Sequence, residues 1–503
     1  MKSLFFHIGA PSPILETEIE LIKLSLEKKE NVTLVRCISD IETCFFNRSH
    51  RKSFCKKCIS KLDNGLEITG VKNDINLLDL KLSKLNLKYK VPKFKSIDQI
   101  KNFKFEKIPI GFGISSSLLS HELEHRPNLN KFKYDLDFIE DIKKKTLSSI
   151  KIYLYFKKLL KKNKPDKVYL FNGRISDTWP IMCLCKKYKI NYYIYETGAK
   201  NMYRVIKNST PHLIQTQIKP EKKFLKYNVT KKILLAKRYI YDKKNLFKEY
   251  SMTNFSAFQK KDLIPLMNKN LRNISIFPSR LDEFESIKGL KKKIYKPDDT
   301  AAIFKILNHF QKFKEYFFFI KLHPGMRMIS INSTQMLDFR KISKIYKNAK
   351  VIWPESNIDS YALIKKSEKI ITFGSTIDNE ACFLKKPVIS LNNNLFTQLN
   401  CVYAPKNHAE ALKLISKKKL KSKNWKNSLF FFYYYLNRGK NFKFFKKESN
   451  KITYNNIKIK ANIFLVLIDF LFSIFYKIKN IKLSLIFDKI INLKTIKLIF
   501  YYK

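Results

Sequence analysis

The stretch that decides the reading lies between Ile320 and Leu391: IKLHPG at 320–325, then WPESNIDSYALIKKSEKIITFGSTIDNEACFLKKPVISL at 353–391. A short apolar run ends in His323-Pro324. A second, Lys369 to Phe373, breaks at Gly374 into Ser375-Thr376 and a helical segment carrying Glu380, and Lys386-Pro387 then leads into another apolar strand. A strand, a small-residue turn and a helix start together present backbone N–H groups and the positive end of a helix dipole. That order suits a phosphate or another anion.

The same alternation extends outward. Ile274 to Phe277 starts the C-terminal series, followed by the turn Pro278-Ser279-Arg280-Leu281-Asp282-Glu283, a helix over 300–314 and a strand over 316–322. Val351-Ile352, Ile370 to Phe373 and Val388 to Leu391 supply three more strands. Nearer the N-terminus, Leu4 to Ile8 reads as a strand, Leu15 to Lys28 as a helix and Val32 to Val35 as a strand. Lys167 to Phe171, the turn Asn172-Gly173-Arg174, a helix over 177–187 and a strand over 190–195 form a second unit. Strands alternating with helices imply parallel sheets. The expected class is α/β, with two Rossmann-like lobes facing a cleft: an N-terminal lobe over 1–215, a lysine-rich helical connection over 216–265 and a C-terminal lobe over 266–420. A helical basic and apolar tail takes 421–503.

At 503 residues, with 45% hydrophobic and 14% aromatic content, the chain has enough apolar material for several cores, which excludes a disordered protein. The formal charge of +58 invites a nucleic-acid or membrane-surface partner. The lysines are spread along the whole chain and accompany no nucleic-acid reader motif, so no nucleic acid is expected. An anionic membrane surface fits better, because Ala461 to Tyr476 is nearly all apolar yet short of the ~20 residues of a span. Residues 477–503 then mix Ile, Leu and Phe with seven lysines. An interfacial anchor is expected there, with a helical cap on the second lobe as the alternative. The opening MKSLFFHIGAPSP is too quickly broken for a signal peptide, and eight cysteines do not form a secreted framework, so the expected location is the inner face of the cytoplasmic membrane.

These motifs resemble the GT-B glycosyltransferases of bacterial capsule and lipopolysaccharide synthesis, among them Kdo-, sialyl- and polysialyltransferases. The resemblance rests on His323-Pro324, on Ser375-Thr376, and on the block Asp359, Leu363, Ser367, Ile371, Thr372, Ser375, Thr376, Glu380, Ala381, Lys386, Pro387. HIGAPSPILETEIELI and FNGRISDTWPI…YYIYETG in the first half are similar to surface-polysaccharide transferases too. The resemblance implies an inverting, metal-independent transferase with no cofactor. A nucleotide-sugar would be the donor, and a lipid-linked or oligosaccharide chain the acceptor. It leaves CMP-, UDP- and GDP-sugars open. The acidic motif supplying the base in sialyltransferases is not clearly present, and Glu196-Thr197-Gly198 is its nearest match.

Inverting transfer needs a base for the acceptor hydroxyl and donors for the leaving phosphate. Glu196 is the candidate base, against a plain salt bridge with Lys200 or Arg204. His323, aimed by Pro324, is the candidate donor to the departing phosphate. Gly374, Ser375 and Thr376 are candidates for the phosphate, where an ordinary N-cap is the bland reading. Glu380 is the candidate partner of ribose hydroxyls, and Arg174 and Arg280 offer bidentate guanidinium groups. Competing readings are a UDP-sugar 2-epimerase and a basic nucleic-acid or polysaccharide-assembly binding protein. His121-Glu122-Leu123-Glu124-His125 matches H-E-x-x-H without an evident third ligand, and GFGISSSLLS before it reads as a cleft loop. Cys37, Cys44, Cys55 and Cys58, with His50 nearby, leave a structural zinc open.

Overall fold

The computed structural model describes residues 1–122, 136–199, 201–210, 222–245, 259–280, 294–295, 299–328, 331, 333–392, 399–448 and 451–477. The first lobe contains β1 (Lys2–His7), α1 (Ile14–Glu27), β2 (Asn31–Cys37), α2 (Lys52–Ile68), β3 (Asn76–Leu80), α3 (Ile97–Lys101) and α4 (Gly111–Glu122). It continues with α5 (Leu136–Asn163), β4 (Lys167–Phe171), α6 (Trp179–Lys187), β5 (Asn191–Thr197) and β6 (Met202–Lys207). Helices α7 (Lys222–Lys226) and α8 (Val229–Asn245) form the connection. The second lobe contains β7 (Arg272–Phe277), α9 (Asp299–Phe310), β8 (Tyr316–Lys321), α10 (Thr334–Ile345), β9 (Ala349–Ile352) and α11 (Ser360–Lys366). Then come β10 (Lys369–Thr372), α12 (Ile377–Phe383), β11 (Val388–Ser390) and α13 (His408–Ser416). After these lie α14 (Leu429–Asn437), β12 (Lys440–Asn441), β13 (Phe445–Glu448), β14 (Lys451–Tyr454) and α15 (Ile463–Lys477).

The expected α/β class with two parallel-sheet lobes is present. The second sheet has the order β11-β10-β7-β8-β9, with every pairing parallel. Side chains alternate across it: Phe318 and Ile320 of β8 enter one core and Phe319 the other, so helices cover both faces. The first sheet has the order β12-β6-β5-β4-β1-β2-β3. Its strands β1 to β5 are parallel, whereas β6 runs antiparallel to β5.

Helix α1 shows why apolar spacing alone under-described this lobe. Its alternating acids Glu16, Glu18 and Glu20 are all fully buried. Ser12 donates to Glu16, while Tyr195 donates to Glu18 at 3.0 Å and His7 pairs with it. Glu20 accepts the backbone N–H groups of Lys443 and Phe444 at 2.6 and 3.0 Å. Burial alone would depress the His7 pKa, but the adjacent Glu18 charge overrides it and holds the imidazole protonated up to about 10.

Two expectations need correction. Segment 421–477 is not wholly helical: Trp425 and Phe432 pack on Phe383 of the second lobe, but the last helix, α15, lies on α2 of the first lobe instead of capping the second. Helix α14 packs on α8, β12 adds to the edge of the first sheet beside β6, and β13 pairs with β14. Phe445, Ile452 and Ile459 enter the first-lobe core, so burying apolar surface returns the chain to that lobe. GFGISSSLLS is not a loop but most of α4. Its serine hydroxyls find partners inside the lobe, including Ser117, which accepts the Ser176 N–H at 2.8 Å. A Cβ at Gly111 would meet the Ile100 carbonyl at 2.0 Å, so the glycine permits close backbone approach. In the H-E-x-x-H match, 123–125 lie outside the described residues. Among the described residues no three His, Cys, Asp or Glu side chains are grouped to hold a metal, the four N-terminal cysteines included. No described helix is long and apolar enough to cross a membrane.

Candidate active site

All five strands of the second sheet end on one edge, and the turn residues singled out in the sequence follow them. Arg280 comes after central β7, His323-Pro324 after β8, and Gly374-Ser375-Thr376 after β10. Because β7 separates β8 from β10, the His323 and Ser375 turns lie about 10 Å apart, two strand spacings. This strand-order reversal is where open α/β sheets place ligands.

Pro324 opens a short 3-10 turn, Pro324–Met328, that folds Gly325 back under the histidine. The Gly325 N–H donates to His323 Nδ1 at 3.1 Å, so the ring proton resides on Nε2, which is a donor. Burial, reinforced by the Arg280, Lys243 and Lys321 charges, pushes the imidazole down to about 4. The ring is therefore neutral at physiological pH and surrounded by cations. Arg280, itself buried, donates to the Gly325 carbonyl at 3.4 Å, which fixes the guanidinium beside the ring. Lys321 is buried as well, and its amine is pushed down to about 8 by desolvation against the opposing pull of Asp359.

The turn after β10 departs from a simple N-terminal anion cradle. Gly374 has φ of 82°, which suits glycine and lets the chain reverse into α12. That helix has only seven residues, and Thr376 at its start makes no side-chain cap. Ser375 Oγ accepts the Ile377 N–H at 3.4 Å. Asp378 in the first turn is buried and accepts the hydroxyls of Thr372 and Ser390, so a carboxylate already answers part of the dipole.

Glu380 is fully buried rather than a solvated helix charge. It accepts the Tyr361 hydroxyl at 2.7 Å, the Tyr239 hydroxyl at 3.4 Å and the Lys243 ammonium. Burial and the nearby carboxylate push both tyrosines well above the usual phenol range. Tyr239 and Lys243 come from α8, so Glu380 ties the connection between the lobes to the second-lobe edge and holds Lys243 near His323. Lys243 was not foreseen, because nothing in the sequence separates it from its neighbouring lysines.

In the first lobe, Glu196 lies near the carboxyl end of β5, where Asn172 Nδ2 donates to it at 2.6 Å. Arg204 on β6 is its cross-strand register partner. Both neighbours suit a carboxylate. Burial first, and Arg438 second, lower the Arg204 pKa against the opposing pull of Glu196. Arg174 donates to Ser116 Oγ at 3.1 Å and Ser120 Oγ at 3.4 Å, joining the β4 turn to α4. Ser279 is buried and its N–H donates to Asp299 at 3.2 Å, whereas Glu283 lies outside the described residues.

The two edges meet through α14. Ala199 N–H, just past β5, donates to the Arg438 carbonyl at 2.6 Å, and Tyr435 is electrostatically coupled to both Arg204 and Glu380. A cavity of about 580 Å³ opens between α8 and the second lobe, lined by Lys237, Lys243, Lys261, Asp359, Tyr361 and Lys365. The larger cavity of about 730 Å³, around Leu271, Asn273 and Glu368, lies at the opposite ends of the second-lobe strands and does not touch the cluster. The arrangement can bind anionic oxygen: a neutral imidazole donor, a guanidinium and two ammonium groups surround one strand-end edge, with a carboxylate on the opposing lobe.

No protein-family model and no curated protein sequence matches the chain. Solved structures do resemble it. One is a UDP-GlcNAc 2-epimerase from Neisseria meningitidis bound to UDP-GlcNAc, at 14% identity over 85% of this chain and 94% of that one, with a TM-score of 0.29. A second is the KpsC beta Kdo 2,4 transferase from Thermosulfurimonas dismutans, at 12% identity over 53% of this chain and 79% of that one, with a TM-score of 0.34. A third is a UDP-GlcNAc 2-epimerase from Methanocaldococcus jannaschii, at 15% identity over 85% and 98%, with a TM-score of 0.26. At such identities and scores these likenesses assign no activity to the chain.

Proposed function

We propose that the chain is an inverting glycosyltransferase that moves a sugar from a nucleotide-sugar to a growing capsule or lipopolysaccharide glycan, without a metal. It would work at the inner face of the cytoplasmic membrane. The observation carrying this reading is the neutral, Nε2-protonated His323 held among Arg280, Lys321 and Lys243 at the end of the strand next to the switch point of the second sheet. A nucleotide phosphate seated there gains an uncharged donor and three cations, and its negative charge grows as the glycosidic bond breaks. Ser375 and Thr376 contribute hydroxyls from the adjoining strand end. Glu380 acts as a positioning residue by holding Lys243. On the facing edge Glu196 accepts the proton of the acceptor hydroxyl as that oxygen attacks the anomeric carbon, and the nucleotide leaves as its phosphate anion.

The test is a transfer assay with CMP-, UDP- and GDP-sugars and a glycan acceptor, following nucleotide release and the glycosylated product. Glu196→Gln should lower kcat at least a hundredfold with donor affinity unchanged. Acceptor-independent formation of a 2-epimer would sink the transferase reading in favour of an epimerase.

A further inference from the structure

Helix α15 presents its faces in the opposite sense to an ordinary surface helix. Its one acid, Asp469, is buried against α2, where Lys57 pairs with it, Ser53 Oγ donates to it at 3.2 Å, and Arg51 lies 3.4 Å away. The opposite stripe, Ile463, Phe464, Leu467, Phe470 and Leu471, is each more than half exposed. These positions follow i, i+1, i+4, i+7, i+8, so they form one continuous apolar face. An exposed stripe of this kind marks a docking surface.

The charge beside the stripe identifies what covers it. Lys458 and Lys460, both exposed, precede the helix and line a cavity of about 550 Å³. Ile463 and Phe54 form apolar parts of the same wall, and Ala10 of the β1–α1 turn closes it. Of the other lysines in the wall, Lys57 is paired with Asp469 and Lys61 is occupied by the Ala10 carbonyl at 2.7 Å and Ser12 Oγ at 3.0 Å, which leaves Lys458 and Lys460 to meet an incoming anion. Apolar side chains lying along a helix, with ammonium groups at its start, match an acyl layer topped by phosphates.

We propose that α15 lies in the interface of an anionic phospholipid bilayer, with its apolar stripe among the acyl chains and a headgroup phosphate between Lys458 and Lys460. Asp469 is then the pin that turns the stripe outward. The inference rests on the membrane placement in the proposed function and names the surface that makes it. Because the β1–α1 turn belongs to the same cavity wall, docking brings the strand-end edge of the first lobe to the lipid surface, where a lipid-borne acceptor would arrive.

The test is flotation of the full chain with vesicles of phosphatidylcholine alone, or with a third of the lipid replaced by phosphatidylglycerol. It needs no sugar transfer, so its outcome is separate from that of the catalytic reading. Binding to the anionic vesicles is expected. It should fall at least tenfold in F464D/L467D, and severalfold in K458E/K460E or at high salt. Both double variants replace exposed side chains and should keep the wild-type melting temperature. If F464D/L467D loses its fold, I463N/L471N takes its place. Wild-type binding by the folded apolar-face variant, equal binding to both vesicle types, or no binding at all would overturn the proposal. So would a wild-type dimer that F464D/L467D converts to monomer, since the stripe would then be a subunit contact.

Discussion

Raising the pH from 7 to 8.5 is expected to weaken the first lobe by about 2 kcal/mol through one buried pair, His7 and Glu18. The folded chain holds the His7 proton up to about 10, whereas an unperturbed histidine releases it near 6.5. A raised folded pKa contributes stability that is complete below the unfolded value and is lost as pH climbs towards the folded one. The loss approaches about 1.4 kcal/mol per pH unit between those limits. Trp179 is buried in this lobe and is one of three tryptophans, so W353F/W425F leaves it as a local reporter for urea unfolding. The double substitution H7Q/E18Q removes the titrating pair while keeping polar side chains. Its stability should be lower at pH 7 and flatter with pH. Equal pH slopes in the two proteins would refute the reasoning.

Other outcomes follow from particular contacts. Gly111→Ala sets a methyl against the backbone of Ile100 and Phe103, which cannot yield as a side chain would; a loss of about 2–4 kcal/mol is expected in thermal or urea unfolding. Glu380→Gln leaves the partly exposed Lys243 without its counter-ion and should cost about 2 kcal/mol, with donor affinity reduced because Lys243 is no longer held near His323. His323 is pushed down to about 4, so its contribution to nucleotide affinity should be flat from pH 5.5 to 8 when wild type is compared with His323→Ala by calorimetry.

The second lobe was the more legible half. Its strands are short continuous apolar runs ended by Pro, Gly or Ser, and parallel pairing places all of those turns on one edge, so sequence spacing translated directly into geometry. Arg280, His323 and Ser375 fall at three such ends. The first lobe concealed more, because its distinctive groups are polar and buried. Glu16, Glu18 and Glu20 read as ordinary charged helix positions; Glu16 and Glu18 find nearby partners at Ser12 and His7, but the Tyr195 hydroxyl and the backbone N–H groups of Lys443 and Phe444 are supplied by chain far away. Serines 115–117 resembled loop residues, since hydroxyls satisfied by tertiary contacts leave no local pattern. The returning C-terminal segment was opaque for the same reason: Asp469 sits alone within an apolar run, and only its contacts with α2 show which way it faces.

The most direct measurement is the dissociation constant of the wild-type chain for CMP, UDP and GDP and their common sugars, set beside that of His323→Ala. One nucleotide series should bind the wild type, and the variant should lose about 1.5–3 kcal/mol, roughly tenfold to a hundredfold in affinity, while keeping its fold. Equal affinity in the two proteins, or no nucleotide binding by the wild type, would contradict a donor site at the strand ends of the second lobe.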